Sequence, residues 1–119
     1  MSGILAATPP LPAQPPFRAG SNDGRYYDLT PDLGPLGTTV RGIGTSDFVV
    51  VRMDGAPIGS GDLTIEPSPA PFLDTTKLIV NWWQTATNVA LYKVSITVAT
   101  ADGRTLIYDC LQQTVSQLG

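Results

Sequence analysis

The stretch LYKVSITVATADGR, residues 91–104, gives the clearest indication of the fold class of this chain. From residue 92 to residue 98, apolar and polar side chains alternate in this stretch: Tyr92, Val94, Ile96 and Val98 are apolar, and Lys93, Ser95 and Thr97 between them are polar. A period of two is typical of a β-strand with one face in a protein core and the other face toward water. Asp102-Gly103 then offers the positive backbone angles that a tight hairpin turn requires. The stretch therefore predicts a strand followed by a hairpin turn.

The run after this turn predicts the returning strand of the hairpin. Leu106, Tyr108 and Cys110 fall on one face of it, and Ile107, Asp109 and Leu111 fall on the other. Because both faces are partly apolar, we expect one of them to make a contact beyond the core of its own domain.

Short β-prone runs separated by Gly, Pro and Asp continue across the whole region from residue 25 onward. No stretch carries apolar residues at the spacing of a helix over eleven or more positions, so substantial helix is not expected. The spacing of the runs predicts an all-β fold, an immunoglobulin-like antiparallel β-sandwich of about seven strands. The predicted strands are Tyr26–Leu29, Thr38–Ile43, Phe48–Met53, Asp62–Glu66, Lys77–Trp83, Leu91–Ala101 and Arg104–Thr114. Asp54-Gly55 gives a second hairpin-turn signal, and the proline-rich residues 67–71 predict a loop.

Residues 1–24 predict an extended N-terminal arm, and residues 25–119 the sandwich domain. Five prolines lie between Pro9 and Pro16, and the segment has no strand or helix period. A proline-rich segment prefers the polyproline conformation, which loses little entropy on docking to a partner. A purely solvated linker would not need large apolar side chains, so we interpret those of the arm as partner-binding anchors: Ile4, Leu5, Leu11 and Phe17.

Composition narrows the class of function. With 119 residues the chain has room for one domain. Seven basic residues are scattered singly among ten acidic ones, whereas a nucleic-acid-binding protein needs clustered positive charge, so no nucleic-acid partner is expected. The single cysteine fits folding in a reducing, intracellular compartment. The first residues form neither a signal peptide nor a membrane span, so no membrane partner is expected.

The sequence contains few residues that could act in catalysis or bind a metal. It contains no histidine and one cysteine, which removes the usual general base, the usual metal ligand and a Cys-His pair. Most aspartates lie beside glycine or in other turn-like settings, where Asp is favoured for backbone reasons. We therefore expect no catalytic residue, no metal and no cofactor, and a protein that is not an enzyme.

Trp82-Trp83 is the one aromatic pair that suggests binding. Neighbouring residues of a strand point to opposite faces, so one tryptophan should face outward. Three interpretations stay open: a core tryptophan beside one covered by a loop or the arm, a contact between subunits, and a stacking surface for sugars.

The closing run Tyr92–Thr105, YKVSITVATADGRT, resembles the last hairpin of small immunoglobulin-like proteins of tailed bacteriophages, in particular the fibre-tail adaptor proteins. Upstream, Tyr27–Thr30, Thr38–Ile43 and Lys77–Trp83 are similar to earlier strands of that family. The chain departs from the family pattern at Asn88–Leu91, where a glycine-containing turn is common, and in its long proline-rich N-terminus.

This resemblance implies a structural protein of the virion, an adaptor at the neck or tail that attaches fibres or neighbouring subunits. Its partners would be other virion proteins, and it would be present in many copies in a symmetric assembly. The family implies no catalytic residues. Two alternatives stay open, a capsid decoration or head-fibre protein and a carbohydrate-binding module.

Overall fold

The structure is a computed structural model that describes residues 11–18, 23–84 and 86–115. Within these residues the chain forms eight strands, one short α-helix and one 3-10 turn, which are joined by loops. The strands are β1 (Phe17–Arg18), β2 (Asp23–Asp28), β3 (Val40–Gly42), β4 (Phe48–Arg52), β5 (Phe72–Thr75), β6 (Leu78–Trp83), β7 (Leu91–Thr100) and β8 (Thr105–Val115). The helix α1 is Thr30–Leu36, and the 3-10 turn is Thr45–Asp47.

The strands form two sheets. The first has the order β1-β8-β7. On the side of β7 away from β8, β3 pairs with Ala99 and Thr100, and β4 pairs with residues 92–96. The second has the order β2-β6-β5. All pairings are antiparallel except that of β1 with β8, which is parallel. The predicted all-β sandwich is confirmed.

The β7–β8 hairpin follows the sequence prediction. Its register runs from Leu91 opposite Gln113 to Ala99 opposite Thr105. In the turn, the Gly103 N–H donates to the Thr100 carbonyl at 3.1 Å, and Gly103 has a φ of +93°. A type I turn closed by a left-handed residue is a common three-residue hairpin, and glycine occupies that residue without steric cost.

The core lies between the inner faces of the two sheets. β7 contributes the four apolar residues of the alternating run, all fully buried, and β8 contributes Tyr108 and Cys110. From the second sheet, Tyr27, Ile79 and Trp83 pack against them. Each fully buried apolar side chain of this size stabilises the fold by roughly 1.5–3 kcal/mol relative to exposure. This core fixes which face of each strand remains for binding.

Two local expectations need correction. Residues 62–66 form no strand among the described elements, only an isolated bridge between Ile65 and Trp83, because the side chains of Asp62 and Leu63 are both turned into the interior. Asp54-Gly55 does form a turn, with φ of +84° at Gly55, yet it joins no hairpin: β4 pairs with β7, and β5 belongs to the other sheet.

Four elements were not predicted: β1 in the arm, helix α1, the 3-10 turn and strand β5. Helix α1 spans TPDLGPL; a proline occupies its first turn, Leu33 anchors it in the core, and Gly37 ends it in the left-handed region with φ of +69°. Strand β5 follows the proline-rich loop of residues 67–71 and pairs with β6.

The described part of the N-terminal arm lies along the outer edge of β8. The backbone N–H of Leu11 donates to the Asp109 carbonyl at 3.0 Å, and that of Gln14 donates to the Leu111 carbonyl at 3.0 Å. β1 then continues beside β8, with Phe17 opposite Thr114. Residues 11–18 therefore pack on the domain that begins at β2, and they cover an edge that would otherwise offer unpaired backbone groups.

Candidate binding surfaces

The outer face of β4, β7 and β8 carries the largest group of exposed apolar side chains in the described residues. Alternation in each strand turns them outward, and the strand register sets them in rows: Val51 beside Lys93 and Leu111, Val49 beside Ser95 and Asp109, and Thr97 beside Ile107. We call this surface the apolar face. Its large side chains, each 38–55% exposed, are Val49, Val51, Met53, Leu91, Ile107 and Leu111.

Two charged side chains lie in the middle of the apolar face. The Asp109 carboxylate accepts a hydrogen bond from the Ser95 hydroxyl at 2.6 Å, which holds it above the sheet. Lys93 is half-buried, and its ammonium makes no hydrogen bond or ion pair with any residue in the described ranges. The face therefore combines an aliphatic surface with one acid and one unpaired base.

A hollow of about 260 Å³ borders this face where the arm meets β8. Its lining is mostly apolar and comprises Leu11, Ala13, Lys93, Asp109, Cys110 and Leu111. Burial, with a smaller contribution from Asp109, raises the pKa of the Cys110 thiol to about 12. The thiol is therefore protonated at neutral pH, and Cys110 acts here as a small apolar side chain and not as a nucleophile.

Arg25 and Gln112 hold the arm against the sandwich. The Arg25 guanidinium is buried and donates to the carbonyls of Pro15 at 3.1 Å and Pro16 at 3.3 Å. Its Nε donates to Gln112 Oε1 at 3.0 Å, and Gln112 Nε2 donates to the Pro15 carbonyl at 2.8 Å. Proline carbonyls are free to accept because the polyproline conformation has no internal hydrogen bonds.

The expected anchors of the arm fall in different places. Leu11 is partly buried and packs on the core of its own domain. Phe17 belongs to β1 by its backbone, and its side chain lies outside the described part of the structure. Ile4 and Leu5 lie outside the described residues. The role of these four residues in binding a partner stays a prediction.

The outer face of the second sheet carries an aromatic surface. Trp82 is 37% exposed, whereas Trp83 is fully buried, as expected for neighbours in a strand. Tyr26 and Phe72 flank Val80 in the register of β2, β6 and β5, and both are exposed. We call Tyr26, Phe72 and Trp82 the aromatic face. A Cβ atom on Gly24 would lie 3.3 Å from the Trp82 ring, so glycine at this position lets the ring lie close over β2.

The sequence predictions cover only part of both faces. The alternation of β8 placed Ile107, Asp109 and Leu111 on one face of the strand. No contact was predicted for Val49 and Val51, although the run FVVVR is apolar on both faces and indicates this surface. Tyr26 and Phe72 come together only through the pairing of β2 and β5 with β6, which a single strand does not reveal.

Among the carboxylates that the structure describes, Asp62 accepts hydrogen bonds from the largest number of residues, and it is buried beneath the loop after β4. It accepts hydrogen bonds from the Tyr92 hydroxyl at 2.7 Å, Arg52 Nη1 at 2.8 Å, the Gly59 N–H at 2.9 Å and Asn88 Nδ2 at 3.1 Å. The hydrogen bonds from Asn88, Tyr92 and Gly59, followed by that from Arg52, hold the pKa of this carboxyl far below its usual range. A carboxylate stabilised in this way is a poor general base, so its role is to fasten the loop to β7.

No helix in the described ranges is long and apolar enough to cross a membrane. Comparison of the chain with protein-family models, with curated proteins and with solved structures finds no match in any of the three.

Proposed function

We propose that this chain is a structural protein of a tailed-bacteriophage particle, an adaptor at the neck or tail that attaches fibres or neighbouring subunits. It folds in the host cytoplasm and enters the virion in several copies, and it uses the outer surface of the sandwich and the N-terminal arm as contacts. The proposal assigns it no catalytic residue and no cofactor. Its neck or tail position comes from the resemblance of Tyr92–Thr105 and the upstream strands to fibre-tail adaptor proteins.

The observation that carries the proposal is the apolar face. Monomeric proteins rarely expose a contiguous apolar patch larger than a few hundred Å², and larger patches mark interaction sites. On this face, six large apolar side chains, each exposed by 38–55%, lie on three paired strands or directly beside them. A rigid β-sheet beneath them loses little entropy when a partner covers it, so the face is suited to a permanent contact within an assembly.

The arm supplies the second contact in this proposal. Its described part, residues 11–18, is fixed to the sandwich by Arg25, Gln112 and the edge of β8. The residues that precede it would then start from a defined point on the domain, with Ile4 and Leu5 as the side chains that dock on a neighbour. A capsid decoration or head-fibre protein would use the same contacts, and only its position and copy number in the particle would differ.

The test is incorporation into particles. We would quantify the chain by mass spectrometry in gradient-purified particles assembled with the wild type, with Val49→Arg or Ile107→Arg on the apolar face, and with Val89→Arg as control. Val89 is an exposed apolar residue in the loop before β7, outside both faces, so the control adds the same charge elsewhere. We expect Val89→Arg to be incorporated like the wild type and the two face variants to be depleted by about tenfold or more, because an unpaired arginine is costly to bury in an interface. Absence of the wild-type chain from particles, or equal incorporation of all variants, would contradict the proposal.

The aromatic face favours one second candidate, a carbohydrate-binding module. Exposed aromatic rings on a flat sheet provide a surface on which the apolar side of a sugar ring stacks. Binding of the isolated chain to a glycan array, lost in Trp82→Ala and Tyr26→Ala but retained in Val49→Ala, would support this function. An array without signal for the wild type would leave the aromatic face as another protein contact.

A further inference from the structure

We propose that the apolar face binds the same face of a second copy of this chain, through reciprocal ion pairs between Lys93 and Asp109. This inference rests on the proposed function, since it names a neighbouring subunit that the adaptor attaches. It is carried by the arrangement of charge on the face and not by the exposure of the face alone.

The two charges are diagonal neighbours on adjacent strands. In the register of β7 and β8, Lys93 lies opposite Leu111, and Asp109 lies opposite Ser95. Diagonal positions on one face of an antiparallel pair are about 7–8 Å apart. Aliphatic side chains of β4 and β8 surround them, among them Val49 and Val51 in the same rows. An acid and a base thus occupy the centre of the apolar face at a fixed separation.

A face with this pattern is complementary to itself. A two-fold axis that lies in the plane of contact and passes between Lys93 and Asp109 brings each Lys93 over the Asp109 of the other copy. Such an isologous contact forms two ion pairs, each between Lys93 of one copy and Asp109 of the other. It also places the aliphatic rows of one copy against those of the other. Because the pairs are enclosed by apolar side chains, they are screened less than pairs in open solvent.

The burial and pairing of Lys93 and Asp109 within one copy favour a second copy as the partner over an unrelated apolar protein. Lys93 is half-buried without a partner in the described residues, and covering an ammonium is costly unless a carboxylate pairs with it. An apolar partner would leave both charges unpaired. A second copy supplies the carboxylate and the ammonium at the required spacing, and the Ser95 hydroxyl holds each carboxylate in position.

We expect a contact formed by the outer face of three strands to bury less than the roughly 800 Å² per partner of a standard stable interface. We therefore expect a dimer whose formation depends on concentration, with a Kd on the order of micromolar. Closer packing in the particle, where copies are held at high local concentration, would complete the contact.

Sedimentation equilibrium of the full-length chain tests the proposal by charge exchange. Lys93→Glu and Asp109→Lys should each place like charges opposite each other and raise the Kd of the dimer by about 30-fold or more. An equimolar mixture of the two variants should associate again, since 93 and 109 are then complementary in both directions across the heterodimer. Lys77→Glu and Asp74→Lys, which make the same changes in and beside the second sheet, should leave the Kd unchanged.

Restored association in the mixture shows that both variants are folded, so loss of association in each alone cannot come from misfolding. If either variant fails to fold, Lys93→Gln and Asp109→Asn replace them, with an expected rise of Kd of about tenfold each. A wild type that stays monomeric at several hundred micromolar, or a dimer that neither exchange affects, would overturn the proposal. A monomeric chain that is still incorporated into particles would refute only this inference, whereas a dimer absent from particles would refute only the proposed function.

Discussion

At the scale of single residues, the Asp62 carboxylate joins parts of the chain that are far apart in sequence. Its donors come from β4, from the loop at Gly59, from Asn88 and from β7. Arg52 also pairs with Asp54 at 2.8 Å, and this pairing lowers the pKa of the Asp54 carboxyl to about 2. The network replaces the hydrophobic contacts that a loop rich in glycine and proline cannot make. The stability of the fold therefore depends on the ionised state of one buried carboxylate.

This network predicts a loss of stability in acid. The pKa of Asp62 is lower in the folded chain than its ordinary value of 3.8, so the stabilisation is complete above about pH 4 and is lost as the pH falls toward the folded pKa. Asp62→Asn should lower Tm at pH 7 by more than about 5 °C. It should also flatten the fall of Tm between pH 4 and pH 2.

Thermal melts followed by circular dichroism from pH 2 to pH 7 measure both effects. Asp74→Asn, which removes an exposed carboxylate on β5, is the matched control and should keep the wild-type pH profile. An acid-induced fall of Tm as steep in Asp62→Asn as in the wild type would show that other groups control the acid stability.

The alternation in β7 makes a second prediction about single residues. Val94 is fully buried, whereas the side chain of Thr97 lies on the apolar face beside Ile107. An unpaired buried carboxylate costs several kcal/mol, against a total stability of about 5–15 kcal/mol for a domain. Val94→Asp should therefore abolish the cooperative melt or lower Tm by more than about 15 °C, whereas Thr97→Asp should change it by a few degrees. Equal melting of the two variants would mean that the register of β7 is wrong.

At the scale of elements, the segment of residues 11–18 behaves as part of the sandwich although it is proline-rich. Parallel pairing of β1 with β8 and the carbonyls held by Arg25 and Gln112 fasten it over the edge of the first sheet. The edge of β8 is thereby closed to other strands over residues 109–115.

Removal of this segment should destabilise the domain. Deleting residues 1–18 removes the packing of Leu11 and two acceptors of the buried Arg25, the carbonyls of Pro15 and Pro16. A net loss of about 1–3 kcal/mol corresponds to a fall in Tm of roughly 5–15 °C for a domain of this size. Deleting residues 1–10 keeps every described contact of the segment and should have a smaller effect. Differential scanning calorimetry of the two truncated chains makes the comparison, and equal Tm values for them would show that residues 11–18 add no stability.

The elements also show how much the sequence could predict. The hairpin β7–β8 follows from local alternation and one Asp-Gly pair, because its contacts are between neighbours in sequence. Helix α1 escaped prediction because TPDLGPL holds two prolines and one glycine, and its helical state depends on the burial of Leu33 by distant strands. The docking of the arm escaped prediction for the same reason, since its partners on β8 lie about a hundred residues away. The outward apolar positions of β8 could be predicted from the sequence. That they lie on one surface with Val49 and Val51 could not, because this depends on the pairing of β4 with β7.

At the scale of the whole molecule, the sandwich presents two different outer surfaces. The apolar face carries aliphatic side chains around Lys93 and Asp109, and the aromatic face on the opposite sheet carries three exposed rings. A module with binding surfaces on opposite sides can join two neighbours at once, which is what the proposed adaptor requires. In the proposed function, the N-terminal arm supplies a third contact.

A reconstruction of the purified particle that contains this chain tests the adaptor function most directly. We predict ordered copies around a symmetry axis at the neck or tail, with the side chains of Val49, Val51 and Ile107 buried against a protein neighbour. Copies on the capsid surface with the same face buried would instead identify the decoration protein. Particles that lack the chain, or copies whose apolar face is open to solvent, would contradict the account.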